Sequence, residues 1–203
     1  MLALSHLMTG DVDGERQAHE RRLDVVRAHG DVARTADQLN TLAEIALDEN
    51  DPEKARRYTE ECLAIAAERF PLQRRDATIT LARATAVLGD HRAAGQILAD
   101  ALAASGRHGQ NLATAQCLRV GGVLAEAGGS PALAIRLFAA AQALSPSPTG
   151  TNDPPEVDLA AALGRARAAL DDREEEREWT LGGALPLSTM LTHLDEAIGL
   201  DGS

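Results

Sequence analysis

The chain has almost no aromatic side chains: one Trp, one Tyr and two Phe among 203 residues. A core of stacked rings is excluded, and apolar burial has to come from Ala, Leu, Val and Ile. Ala and Leu are strong helix formers, and Ala gives up almost no side-chain entropy on folding, so this balance predicts an all-α protein of close-packed helices. Lysine is nearly absent too. The one lysine, Lys54, is not preceded by GxxxxG, which excludes a Walker A phosphate loop. Only two cysteines occur, Cys62 and Cys117, with no CxxC and no secretory pattern before them. Reduced thiols packed as small hydrophobes are expected rather than a disulfide. No apolar run approaches the roughly 20 residues that cross a bilayer, and the N-terminus lacks the order of a signal peptide, basic then apolar then small. The expected location is cytoplasmic, with no membrane partner.

Chemical motifs are equally scarce. The six histidines include no i, i+4 pair and no HExxH, and neither GxSxG nor a Cys–His signature is present. No enzyme activity, metal or cofactor is expected. The formal net charge of −11 would repel a phosphate backbone, and no basic patch offsets it, so direct nucleic-acid binding is not expected. "TGDVDGERQAHE", Thr9 to Glu20, places Asp11, Asp13, Gly14 and Glu20 at calcium-loop offsets, but Thr9 takes the first ligand position and Arg16 an apolar one. A turn between helices explains the stretch better. The acidic run "DDREEERE", residues 171–178, reads as a solvated helix face.

What the chain does contain is a repeated turn followed by an Ala-rich helix. Gly10-Asp11, Asn50-Asp51, Gly89-Asp90 and Gly129-Ser130 begin equivalent segments 39 or 40 residues apart, the mark of a repeat array. In each turn, Gly or Asn tolerates left-handed backbone angles and Asp or Ser suits the next helix cap. Pro52 and Pro131 fall in the first helical turn, where the missing N–H costs nothing. Helices are predicted over 13–28, 52–68, 91–105 and 131–144, with partners over 33–48, 73–88, 110–127 and a short one over 2–8. Leu39, Leu42, Ala43, Ala46 and Leu47 form one apolar stripe, and Ile79, Leu81, Ala82, Thr85, Ala86 and Leu88 the next. Each antiparallel pair must stack on its neighbours to hide such a face. Ala43 and Ala55, Ala82 and Ala94, and Gly122 and Ala134 recur twelve residues apart and let paired helices approach closely.

These small residues, with Cys62, Ala101 and Ala141 seven positions later and Pro146 after the last unit, resemble the tetratricopeptide repeat, whose usual length is 34 residues. The longer period, and wording such as "GDVARTADQLNTLAEIALDENDPEKARRYTEECLAIA", resembles the C-terminal helical repeats of bacterial LuxR-type and maltose-regulator-like ATPase transcription regulators. The resemblance spans nearly the whole chain, although Glu15 stands where Ala is expected and neither an ATPase nor a DNA-binding module is present. It implies a right-handed superhelix of stacked helix pairs over 1–146. A proline-rich loop and capping helices over 147–203 would belong to the same domain. "SPSPTGTNDPP" ends the regular array, a helix with Leu159, Leu163, Ala166 and Leu170 on its apolar face follows, and "LGGALPLS" is expected to break the chain before a last helix from Ser188 to about Ile198. Trp179 is expected to anchor this tail.

Transferring the geometry of the resemblance, the first helix of each pair lines a concave groove with Asp37, Asn40, Glu44 and Asp48, then Asp76 and Arg83, then Gln116, Arg119 and Glu126. The implied function is non-catalytic binding of a protein or peptide, as sensor or scaffold of a bacterial transcription regulator whose ATPase and DNA-binding modules lie upstream in a longer chain. A free-standing cytosolic peptide or small-molecule receptor is the alternative. The short first pair predicts that the N-terminal end is covered by another copy, as a homodimer, or by an upstream segment.

Overall fold

The computed structural model describes residues 12–66, 69–107, 111–145, 156–184, 186 and 189. The described residues form helices joined by short turns, with no strand among them. In chain order they are α1 (Val12–Ala28), α2 (Val32–Asp48), α3 (Pro52–Ala66), α4 (Pro71–Val87), α5 (His91–Arg107), α6 (Asn111–Ala127), α7 (Pro131–Leu144), α8 (Glu156–Ala168) and α9 (Asp172–Ala184). They divide between Leu88 and Gly89 into two compact units. The expected helix over 2–8, the 146–155 loop and the helix after Ser188 lie outside the described residues.

The turns show why the helices stop and restart where they do. Gly30, Asn50, Gly89 and Gly129 all have positive φ, and Asn50 is the one non-glycine among the described residues to do so. After α2, the Asn50 amide donates to the Leu47 carbonyl and the Asp51 amide to the Ala46 carbonyl. Gly30-Asp31 and Gly129-Ser130 repeat the pattern at the ends of α1 and α6, so the last carbonyls of each helix are satisfied before the next begins. The following Asp then turns its side chain onto the new helix. Asp31 accepts from the Arg34 amide, Asp51 from Lys54 and Asp90 from Ala93, at 2.9 to 3.1 Å. Ser130 makes no such bond, and Pro131 begins α7 instead. Pro71 does the same for α4, which starts two residues before the predicted boundary.

In the first unit, α2 packs on α1, α3 and α4, and α3 on α4. Leu23 and Val26 of α1, Ala36, Leu39 and Leu42 of α2, Cys62 of α3 and Ala77 of α4 form one core cluster. Ala43 and Ala46 meet Ala55 and Ala84 in a second, methyl-lined contact, as the spacing of small residues predicts for Ala43 and Ala55. Asp13, Gly14 and Glu20 lie within α1, so they cannot form a calcium loop. Arg16, on the same helix, pairs with Asp13 and Glu20 and reaches Glu49 at the end of α2.

In the second unit, α6 packs on α5, α7 and α8, and α7 on α8 and α9. With neighbours around it, α6 is buried along nearly its whole circumference from Ala113 to Gly122. Gly122 is required by contact: a β-carbon there would lie 2.5 Å from the ring of Phe138 on α7. The break expected at "LGGALPLS" is not at its start, because α9 continues through Leu181, Gly182 and Gly183 to Ala184. Gly182 is buried against the backbone of Arg136 on α7, so this glycine admits a close helix crossing where composition suggested a breaker. The acidic run also needs correction at one position, since Glu178 is only 1% exposed and is gripped by Arg136 and Arg177.

Candidate functional site

The predicted groove residues divide between the two units. Those of the first unit come from α2 and α4, which pack on each other, with Asp37, Asn40, Glu44 and Asp48 on one helix and Asp76 and Arg83 on the other. Their environments differ. Asp37 and Asp48 are exposed, Glu44, Asp76 and Arg83 are half-buried, and Asn40 is buried. Gln73 Nε2 donates to Asp37 Oδ1 at 3.0 Å across the two helices, and Arg75 Nε donates to Asp76 at 2.6 Å.

Asn40 and Glu44, one turn apart, form the inner part of this face. Asn40 Nδ2 donates to Glu44 Oε1 at 3.3 Å, while Asn40 Oδ1 is buried with no hydrogen-bond partner among the described residues. Burial pushes the Glu44 carboxyl up to about 7 from an ordinary 4.5. Arg83 pulls it down, the Asp76 and Asp48 carboxylates push it further up, and the Asn40 amide pulls it down. The result is a half-buried carboxyl that carries only part of its charge at neutral pH, beside an amide oxygen that lacks a donor.

In the second unit the three predicted residues have separate roles. Gln116 and Arg119 lie on the enclosed helix α6 and are 2% and 6% exposed, so neither belongs to an open polar lining. Gln116 Oε1 has no hydrogen-bond partner among the described residues. Glu126 is held by a two-pronged ion pair with Arg165 of α8, at 2.9 and 2.6 Å, and ties α6 to α8.

Sequence reasoning missed the cavity beside Arg119. A space of about 230 Å³ lies between α6, α7, α8 and α9, bounded by Arg119, Phe138, Gln142, Leu159, Leu163 and Trp179. Arg119 Nη2 donates to the carbonyl of Ser145, which closes α7, at 3.0 Å. Trp179 is half-buried on α9, with the Arg167 guanidinium of α8 5.2 Å from its ring centre. The only sequence signal was an arginine in a helix with apolar residues on every side.

Both cysteines are buried. The Cys62 thiol donates to the Ala36 carbonyl at 3.3 Å, and burial, with Asp37 and Asp76 adding to it, pushes its pKa up to about 12, which leaves it unreactive. No described helix is long and apolar enough to cross a membrane, and no group of metal-ligating side chains occurs among the described residues. Comparison of the chain with protein families, curated proteins and solved structures finds no significant match.

Proposed function

We propose that the chain is a non-catalytic helical-repeat domain that binds a protein or peptide segment bearing exposed Lys or Arg, on the face shared by α2 and α4. In this reading the helix pairs stack as a right-handed superhelix with a repeat near 40 residues. The domain serves as the cytoplasmic sensor or scaffold of a bacterial transcription regulator, an assignment that rests on the sequence resemblance alone.

One observation carries the choice of partner: the buried, unsatisfied Asn40 oxygen sits beside a Glu44 carboxyl that neighbouring Asp48 and Asp76 hold partly protonated. A buried acceptor without a donor costs about 1 to 3 kcal/mol, and a carboxyl crowded by others is short of positive charge. An ammonium or guanidinium group would relieve both at once. Residues on two packed helices also present their acceptors at fixed spacing, so little conformational entropy is lost when a partner binds.

Peptides selected from a random library against the whole chain are expected to be rich in Lys and Arg, and to bind Glu44→Arg at least tenfold more weakly. Arg119→Glu, in the other unit, should leave them unaffected. Selected peptides without basic residues, or equal binding to Glu44→Arg and Asp76→Arg, would place recognition elsewhere.

A further inference from the structure

We infer that the cavity between α6, α7, α8 and α9 is a binding site for a small monocarboxylate with an apolar body about the size of one ring. This site is independent of the α2/α4 face, and each can fail without the other.

Size and lining set the ligand class. A dry apolar cavity of about 150 Å³ is enough to hold benzene. A space of about 230 Å³ therefore accommodates a ring or branched chain together with one polar group. Phe138, Leu159, Leu163 and Trp179 supply apolar and aromatic surface from three helices, which suits the body of such a molecule. Arg119 supplies the orienting charge. Its guanidinium is a planar fork of N–H donors that matches a carboxylate in two parallel hydrogen bonds, and burial strengthens that match relative to water. The bond from Arg119 Nη2 to the Ser145 carbonyl sets the direction of the fork, and that carbonyl lies at the negative end of the α7 dipole. Gln142, at the same rim, offers an amide N–H to a second carboxylate oxygen. Phosphate esters are a poorer match, because they carry about two charges against one arginine and need more polar surface than this lining provides.

The chain carries a built-in reporter, because its only tryptophan, Trp179, lines the cavity. The test titrates the full chain with 4-phenylbutyrate and, separately, with the neutral 4-phenylbutyramide, following Trp179 fluorescence. The acid is expected to give a saturable change and to bind at least tenfold more tightly than the amide. Arg119→Gln should reduce acid affinity at least tenfold while leaving the amide unchanged, and Leu163→Phe, which fills the space, should weaken both. No saturable response to the acid, equal affinity for acid and amide, or full affinity in Leu163→Phe would each overturn the proposal. If Arg119→Gln fails to fold by circular dichroism, the acid and amide comparison on the unaltered chain decides the matter.

Discussion

Gly182 and Arg136 meet backbone to backbone: a methyl group on Gly182 would lie 2.7 Å from the Arg136 α-carbon and closer still to its carbonyl oxygen. One turn earlier on α9, Glu178 holds the side chain of the same arginine. Helix α9 thus grips both the main chain and the guanidinium of one residue on α7. Gly182→Ala should force the helices apart and destabilise the chain by about 1 to 3 kcal/mol or more, the cost of overpacking. Gly164→Ala, on α8, meets nothing within 4 Å and should instead stabilise by about 0.5 to 1 kcal/mol through helix propensity. Urea unfolding of the two variants would show opposite shifts in midpoint, and shifts of the same sign would mean that the close crossing is not rigid.

The Glu178 carboxylate sets a second expectation. Burial alone would raise its pKa, but hydrogen bonds from Arg136 and Arg177 outweigh burial and hold it below the ordinary value. A carboxylate with a depressed folded pKa contributes stability above its unfolded pKa, and that contribution disappears as pH falls through the folded value. Glu178→Gln should therefore cost about 1 to 3 kcal/mol at neutral pH and progressively less in acid. Arg136→Met should cost more than Arg177→Met, because the Arg136 side chain is 26% exposed against 63% for Arg177. Unfolding curves measured at a series of pH values separate these effects.

Gly122 and Phe138 offer a test of packing by compensation. The Phe138 side chain is buried and cannot swing away from a new methyl at Gly122, so Gly122→Ala should cost about 1 to 3 kcal/mol. Phe138→Leu alone should cost about 1 kcal/mol or more from lost contact. The double variant should be more stable than the sum of the two single effects implies, with a coupling of about 1 kcal/mol or more. Strict additivity would show that the two residues do not share a tight contact.

How far these features could be read in the sequence depends on how local their causes are. The Asn50-Asp51 and Gly129-Ser130 turns were legible because positive φ and helix capping are settled within a few residues. The continuation of α9 through Gly182 was not, because its reason is a contact with Arg136, 46 positions earlier in the chain. Arg119 was expected in a polar groove because charged residues usually face water. It is enclosed because α6 is surrounded by α5, α7 and α8, and periodicity in one helix does not count its neighbours. The cavity that Arg119 lines draws on four helices, so no single segment announced it.

Asn40 is expected to trade stability for binding. Its Oδ1 is buried without a partner among the described residues, and leaving such an acceptor unsatisfied costs about 1 to 3 kcal/mol. Leucine has a similar volume and no polar atom, so Asn40→Leu should stabilise the first unit by about 1 kcal/mol while weakening attachment of basic peptides. Thermal unfolding and peptide titration on the same preparation would measure both. A variant that loses stability would show that the oxygen is satisfied in solution, and the polar face would lose its strongest support.

Glu44 should make stability fall as pH rises through the neutral range. Its pKa is about 7 in the folded chain against 4.5 ordinarily, so between those values the folded state holds a proton that the unfolded state has released. Folding is then favoured by protons, and the contribution of this residue declines from about pH 4.5 to about pH 7, flattening once both states are ionised. Glu44→Gln keeps the hydrogen-bonding shape and removes the titration. It should be more stable than the unaltered chain at pH 8 by about 1 to 3 kcal/mol and nearly equal to it at pH 4.5. A basic partner at this face should reverse the preference, because it binds the ionised carboxylate and displaces the proton, so its affinity should rise over the same interval. Calorimetric titrations in buffers of different ionisation enthalpy would reveal that proton release directly. If the heat showed no buffer dependence near pH 7, Glu44 would not be the group that meets the partner.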